Sequence, residues 1–197
     1  KVAATADNVV WTLSVQNTGK TPATAVVGID SGINALQKYL TDGGITADQL
    51  TLGSVSSYPT EEYINGNPTG RILNYRANRE ITVRTKDVQL VSKLSQNIGT
   101  VLQAGVTVSN YGPQYYVSTL SKIRPELLKE ATKDAKKRAL AMTEAVGGKV
   151  GAITSVKAGP IQVTTPDSTM TSDMGMYDTS SIKKTVTATV TVTFKSN

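Results

Sequence analysis

Between Arg124 and Val156 the sequence sets out a charged amphipathic helix, a Gly-Gly stop and a short apolar strand, and the same parts in the same order stand near the N-terminus. The later helix has a polar face of Glu126, Lys129, Glu130, Lys133, Asp134, Lys137 and Arg138, while Leu128, Ala131, Ala135, Met142 and Val146 share a stripe at helical spacing. Gly147-Gly148 then ends it, since glycine takes the left-handed closing conformation without steric penalty. In the earlier copy Thr21 caps a helix whose first turn holds Pro22, the stripe is Val26, Ile29, Ile33, Leu36 and Leu40, and the stop is Gly43-Gly44. A chain built this way must lay each long helix on a sheet. It is expected to be a duplicated helix-on-sheet unit rather than a scaffold around a reactive cleft.

The extended segments fill in the two copies. Val9, Trp11, Leu13 and Val15 alternate with polar neighbours and predict a strand over 9–16. Leu50 to Tyr58 reads as a strand stopped by Pro59, and residues 59–71, with Pro59, Gly66, Asn67, Pro68 and Gly70, read as a long hairpin connection. Leu73, Tyr75, Ala77, Ile81 and Val83 then share one face of a strand, which Arg79 interrupts. A helix is expected over 87–103, with Val91, Leu94, Ile98 and Val101 inward, and extended chain over 106–118 broken at Gly112-Pro113. After the long helix come a strand over 150–157 and a Ser/Thr/Asp/Met-rich loop over 161–182. Last, Val186, Ala188, Val190, Val192 and Phe194 alternate with threonines at 185, 187, 189, 191 and 193, which predicts one buried face and a threonine ladder towards water or a partner.

Taken together the order is βαββ, a helix, and βαββ again. The expected fold is α+β, with antiparallel sheets covered by helices and one module over residues 1–197: a first half at 7–85, a connecting helix at 86–104 and a second half at 106–195. A competing grouping makes the first six elements one ferredoxin-like βαββαβ unit and the rest an appendage.

The sequence holds neither Cys nor His, which removes thiol nucleophiles, Cys/His zinc sites and imidazole bases together. With 39% hydrophobic and 18% charged residues it is an ordinary globular composition, and no apolar run is long enough to span a bilayer. The chain opens at Lys1-Val2 without a charged-then-apolar leader, so an export signal or a membrane tether is expected upstream, if anywhere. The net charge of +6 would permit binding to anionic surfaces. On the 124–138 helix, however, the cations alternate with acids at i,i+3 and i,i+4, as on a solvated face, and aromatics are only 5%; nucleic acid is therefore not expected as a partner.

Few residues suggest chemistry. Gly19-Lys20-Thr21, between a strand and a helix, has the end of a phosphate-binding loop, but that loop needs a glycine where this chain has Ser14. Met170, Met174 and Met176 lie close in sequence beside Asp167, Asp173 and Tyr177; thioethers suit Cu(I), and methionines equally suit an adaptable contact surface. Neighbours Glu61 and Glu62 point apart, and Glu126 and Glu130 sit among lysines, so neither pair resembles a desolvated acid/base couple. Arg79, on an otherwise apolar face, is expected to pair with an acid, reach an edge or touch a neighbouring subunit. Neither catalytic residues nor a resident cofactor are expected.

Across nearly its whole length the chain resembles the SIMPL-domain family of mostly bacterial exported proteins. The likeness rests on Asp7 before the first strand, Gly19-Lys20-Thr21, Tyr58-Pro59, Tyr75-Arg76-Ala77, the run Ala131, Asp134, Ala135, Lys137 and Ala139, and the final Val190-Thr191-Val192-Thr193-Phe194. It departs at Ala6, where the family usually has Pro, and at Asn74, where it usually has Gly; only Lys1 to Ala4 could supply the family's extra first strand. The resemblance implies a periplasmic or cell-surface protein, loosely connected with stress tolerance, without an assigned reaction. A non-enzymatic homo-oligomer is the expected form. A binding module for Cu(I) or for an anionic envelope polymer is the alternative.

Overall fold

The computed structural model describes residues 1–196, except for the side chain of Ser196, and divides the chain into two compact units, one over residues 8–115 and one joining residues 1–7 to the chain from 116 onward. The division places residues 86–104 inside the central unit. The fold is α+β.

The chain begins with β1 (Val2–Thr5), which belongs to the terminal unit and pairs antiparallel with a strand near the C-terminus, Val2 opposite Val186. These residues thus form the extra first strand expected from the family resemblance. In the central unit β2 (Asn8–Gly19) precedes α1 (Pro22–Asp42), followed by β3 (Leu50–Leu52), β4 (Ser56–Ile64) and β5 (Asn67–Thr85). Next come α2 (Val88–Gln96), α3 (Gly99–Gln103), β6 (Val108–Asn110) and β7 (Gln114–Tyr116). The sheet order is β3-β5-β2-β6, with β4 also on β5, and every one of these pairs is antiparallel.

The alternation in β2 works as read: Val9, Trp11, Leu13 and Val15 are all buried. Against them α1 turns Ala25, Ile29, Gly32, Ile33, Leu36 and Leu40. Thr21 and Thr24 exchange side-chain and backbone hydrogen bonds in a reciprocal cap at the start of α1. At its end Gly44, with φ +103°, lets its own N–H reach Thr41 O and that of Ile45 reach Leu40 O. The only tryptophan, Trp11, is fully buried and donates from Nε1 to Asn110 Oδ1 at 2.8 Å.

Three expectations in this unit are corrected. Residues 59–71 are not a loose connection: β4 and β5 continue through them to a tight turn at Asn65 (φ 52°) and Gly66 (φ 80°), the paired positive angles that suit a two-residue hairpin. Pro59 does not stop β4, because β4 is an edge strand and needs no N–H at that position. The single helix expected at 87–103 is two, parted at Asn97, whose side chain and backbone N–H groups both bond to Lys93 O.

The terminal unit contains α4 (Leu120–Glu144), β8 (Val150–Ala158), β9 (Gln162–Thr164), β10 (Met176–Tyr177), β11 (Lys183–Thr187) and β12 (Val190–Ser196). A four-stranded sheet runs β1-β11-β9-β10, with only β10 parallel to its neighbour, and β8 and β12 form a separate antiparallel ribbon. Gly147, at φ +74°, closes α4 through the same pair of bonds seen at α1, Gly147 N–H to Glu144 O and Gly148 N–H to Thr143 O.

Here too the sequence reading needs correction. The last strand is two strands in different sheets, parted at Ala188-Thr189. The 161–182 loop hides β9, whose Gln162, Val163 and Thr164 are all buried between β11 and β10. A three-residue strand with one apolar member shows no alternation to detect. Along α4, Leu128, Ala131 and Ala135 are half-buried, but Met142 is exposed, Val146 falls beyond the helix in an exposed turn, and Leu127 is the one residue of the helix that is buried. The small core it does form joins Leu127 to Val163 and Val186.

Candidate functional site

A groove of about 780 Å³ lies within the terminal unit, between α4 and the passage from β11 to β12. Ile123, Leu127 and Ala131 give it an apolar floor, and Glu126, Glu130 and Asp134, one turn apart, give it an acidic wall. Each carboxylate already has a cation beside it: Lys129 at 3.3 Å, Lys133 at 2.7 Å and Arg138 at 2.7 Å. The hydrogen bond and charge of Lys133 lower the pKa of Glu130. Each acid of the groove is thus matched by a cation of its own helix.

A second cluster surrounds Lys184, whose side chain is fully buried although the sequence shows only a Lys-Lys pair at a strand start. Its Nζ lies 2.5 Å from Asp178 O and 3.1 Å from Asp178 Oδ2, and the Tyr177 ring is 5.9 Å away. The Asp178 carboxylate also accepts from Ser180 N–H and Oγ and from Ser181 N–H and Oγ. Tyr177 Oη accepts from Val117 N–H at 2.9 Å, and the Tyr116 and Tyr177 rings are 6.0 Å apart. Lys184, Ser180 and Ser181 all bond to Asp178, which makes the cluster a clasp on the 176–184 segment.

The residues singled out from sequence do not converge. Thr21 is the cap of α1. Arg79 donates from Nε to Gly53 O at 2.9 Å and lies 3.8 Å from Asp30 Oδ1, the acid pairing being one of the three roles expected for it. Glu62 pairs with Arg71 at 3.2 Å. In the methionine loop, Met170 N–H donates to Ser168 Oγ and Met174 N–H to Ser172 Oγ, turns that leave both side chains outside; Met174 is 95% exposed. Met176 is half-buried in β10.

What the sequence reading missed is apolar surface. Beyond the rung Gly19–Tyr75 no β2 partner accompanies β5, so the ends of β4 and β5 continue as a two-stranded arm. On it Ile72 is 47% and Leu73 50% exposed, and Tyr63 and Ile64 are exposed as well. Successive strand residues face opposite ways, so both faces of the arm are uncovered. In the terminal unit Met142 (66%), Val146 (83%), Ile153 (50%) and Val156 (53%) are open likewise.

The family model described as "SIMPL: Protein of unknown function (DUF541)" matches residues 1–194. The chain belongs to the SIMPL family. No curated protein matches it. Two solved structures are similar to it in part: an amidase of the hydantoinase/carbamoylase family from Burkholderia vietnamiensis, at 14% identity over 68% of this chain and 33% of that one with a TM-score of 0.32, and AtUAH in complex with glyoxylate, at 16% identity over 67% and 33% with a TM-score of 0.33. This SIMPL chain spans about a third of the length of those proteins, and a likeness so slight carries no argument about activity.

Residues that carry the SIMPL resemblance have structural work. The Asp7 carboxylate accepts from Ser118 N–H at 2.7 Å and Oγ at 2.5 Å, fixing the end of β1 to the approach of α4. Tyr58 faces Arg76, and Pro59 faces Tyr75, across the β4–β5 pair. Among the described residues no helix is long and apolar enough to cross a membrane.

Proposed function

We propose that this SIMPL protein is a non-enzymatic, exported component of the cell envelope, periplasmic or at the cell surface, that works as a homo-oligomer and contributes to stress tolerance. The observation that carries the reading is the unequal packing of the two long helices. Six residues of α1 are buried, against one of α4, whose last apolar residue Met142 is exposed, as is Val146 in the turn after it. Apolar side chains left open at the end of α4, on the β8 strand and on the β4/β5 arm are surface that a contact between molecules would cover. Export and the stress role are supported by the family resemblance; the lack of a reaction is supported by the sequence's lack of Cys and His and by the groove acids' lysine and arginine partners.

Size-exclusion chromatography with light scattering tests the central point. A mass several times that of one chain at micromolar concentration is expected, and a strict monomer would remove the reading.

A further inference from the structure

We infer that the β4/β5 arm of one copy seats on the α4/β8 face of the next, so that the assembly is built head to tail; this rests on the homo-oligomer reading above. The arm needs a cover. A two-stranded hairpin is at best marginally stable in water, and this one presents Ile72 on one face and Leu73 on the other, with Tyr63 and Ile64 repeating the pattern on the facing strand.

The receptor is on the same chain. Val156 and Ile153 stand opposite Val192 and Phe194 in the β8–β12 register, which puts the two exposed residues on one side of that ribbon. Met142 near the end of α4 and Val146 in the turn that follows are exposed, just before β8.

Charge selects the pairing. Residues 56–74 carry Glu61 and Glu62 against Arg71, while residues 134–158 carry Lys136, Lys137, Arg138, Lys149 and Lys157 against Asp134 and Glu144, with Arg138 already paired to Asp134. The arm is therefore slightly acidic and the receptor segment net basic. Two receptor faces repel one another, so self-pairing across a two-fold axis is disfavoured and the arm-to-receptor contact is favoured. A heterologous contact of this kind closes into a ring or runs on as a filament.

The absence of cysteine makes a clean test, since introduced thiols can link only to each other. Tyr63→Cys and Val156→Cys chains, differing in tag and each checked for wild-type circular dichroism, are mixed and oxidised beside wild-type protein sized by light scattering. The expected result is a disulfide-linked dimer holding one chain of each kind, with either variant alone remaining largely unlinked. If wild-type protein is oligomeric but the mixture fails to link, or Tyr63→Cys chains link to themselves as readily, the arm-to-receptor contact is wrong while the oligomer stands. A monomeric wild-type protein overturns both.

Discussion

Lys184 and Asp178 form an ion pair, Nζ to Oδ2 at 3.1 Å, in which the lysine side chain is fully buried and the aspartate only 15% exposed. The ammonium is also held 2.5 Å from Asp178 O, so one lysine fastens both the side chain and the backbone of the segment leading into β11. Removing one member leaves the other without its counter-charge. Lys184→Met is expected to destabilise the protein by about 3–5 kcal/mol, and Lys184→Met with Asp178→Asn by clearly less, as read from urea unfolding followed by circular dichroism. Equal losses in the single and double variants would show that packing, not charge, governs the site.

The same carboxylate should set an acid limit. Burial alone would raise the Asp178 pKa, but the hydrogen bonds from Ser181, Ser180 and Lys184 outweigh it and hold the group well below the usual carboxylate range. A group depressed on folding adds stability above its unfolded value, near 4, and that stability drains away as pH falls below about 4 towards the folded value. Denaturant midpoints measured from pH 6 down to 2 should fall for wild type and fall less steeply for Asp178→Asn. Parallel curves would refute the assignment.

Trp11 offers a reporter confined to one unit. Because it is fully buried and its Nε1–H is bonded to Asn110 Oδ1, its emission should be blue-shifted and resist iodide quenching until the central unit opens. The terminal unit, with Leu127, Val163 and Val186 as its buried cluster, holds much less packing, so a far-ultraviolet transition that precedes the tryptophan transition is expected under dissociating conditions. Coincident transitions would mean the two units unfold as one.

Two glycines should be intolerant for different reasons. Gly44 sits at φ +103°, where an alanine is strained, and Gly44→Ala is expected to cost about 1–2 kcal/mol. Gly32 faces β2 so closely that a Cβ there would stand 2.7 Å from Val15 Cγ1 and 3.2 Å from Val106 Cγ1; overpacking should cost Gly32→Ala about 1–3 kcal/mol. Trimming the neighbour with Val15→Ala should relieve the second substitution in part and leave the first unchanged. A thermal-shift comparison of the three single variants and the two doubles carrying Val15→Ala decides this.

Legibility followed the length of the pattern. Both long helices, their glycine stops, β2 and the inner part of β5 showed in the sequence because eight or more residues repeated one period. β9 did not, since Gln162, Val163 and Thr164 carry one apolar residue between them and are buried by neighbours far along the chain. The arm was obscured by its own prolines and glycines: Pro59, Pro68 and Gly70 spoke for a loop, yet an edge strand tolerates them, and Asn65-Gly66 alone made the turn.

The amino-acid sequence by itself determined the α+β class, the helix caps and stops, the alternation that buries Trp11, the family, and the exclusion of thiol and imidazole chemistry. Tertiary structure alone decided that Lys184 is interior, that β1 completes the sheet built from the last strands, and that α4 leaves its apolar stripe half open while α1 buries its own. The reason is that local periodicity specifies which face of an element is apolar, whereas how much of that face is covered depends on how many strands, from anywhere in the chain, come to lie beneath it.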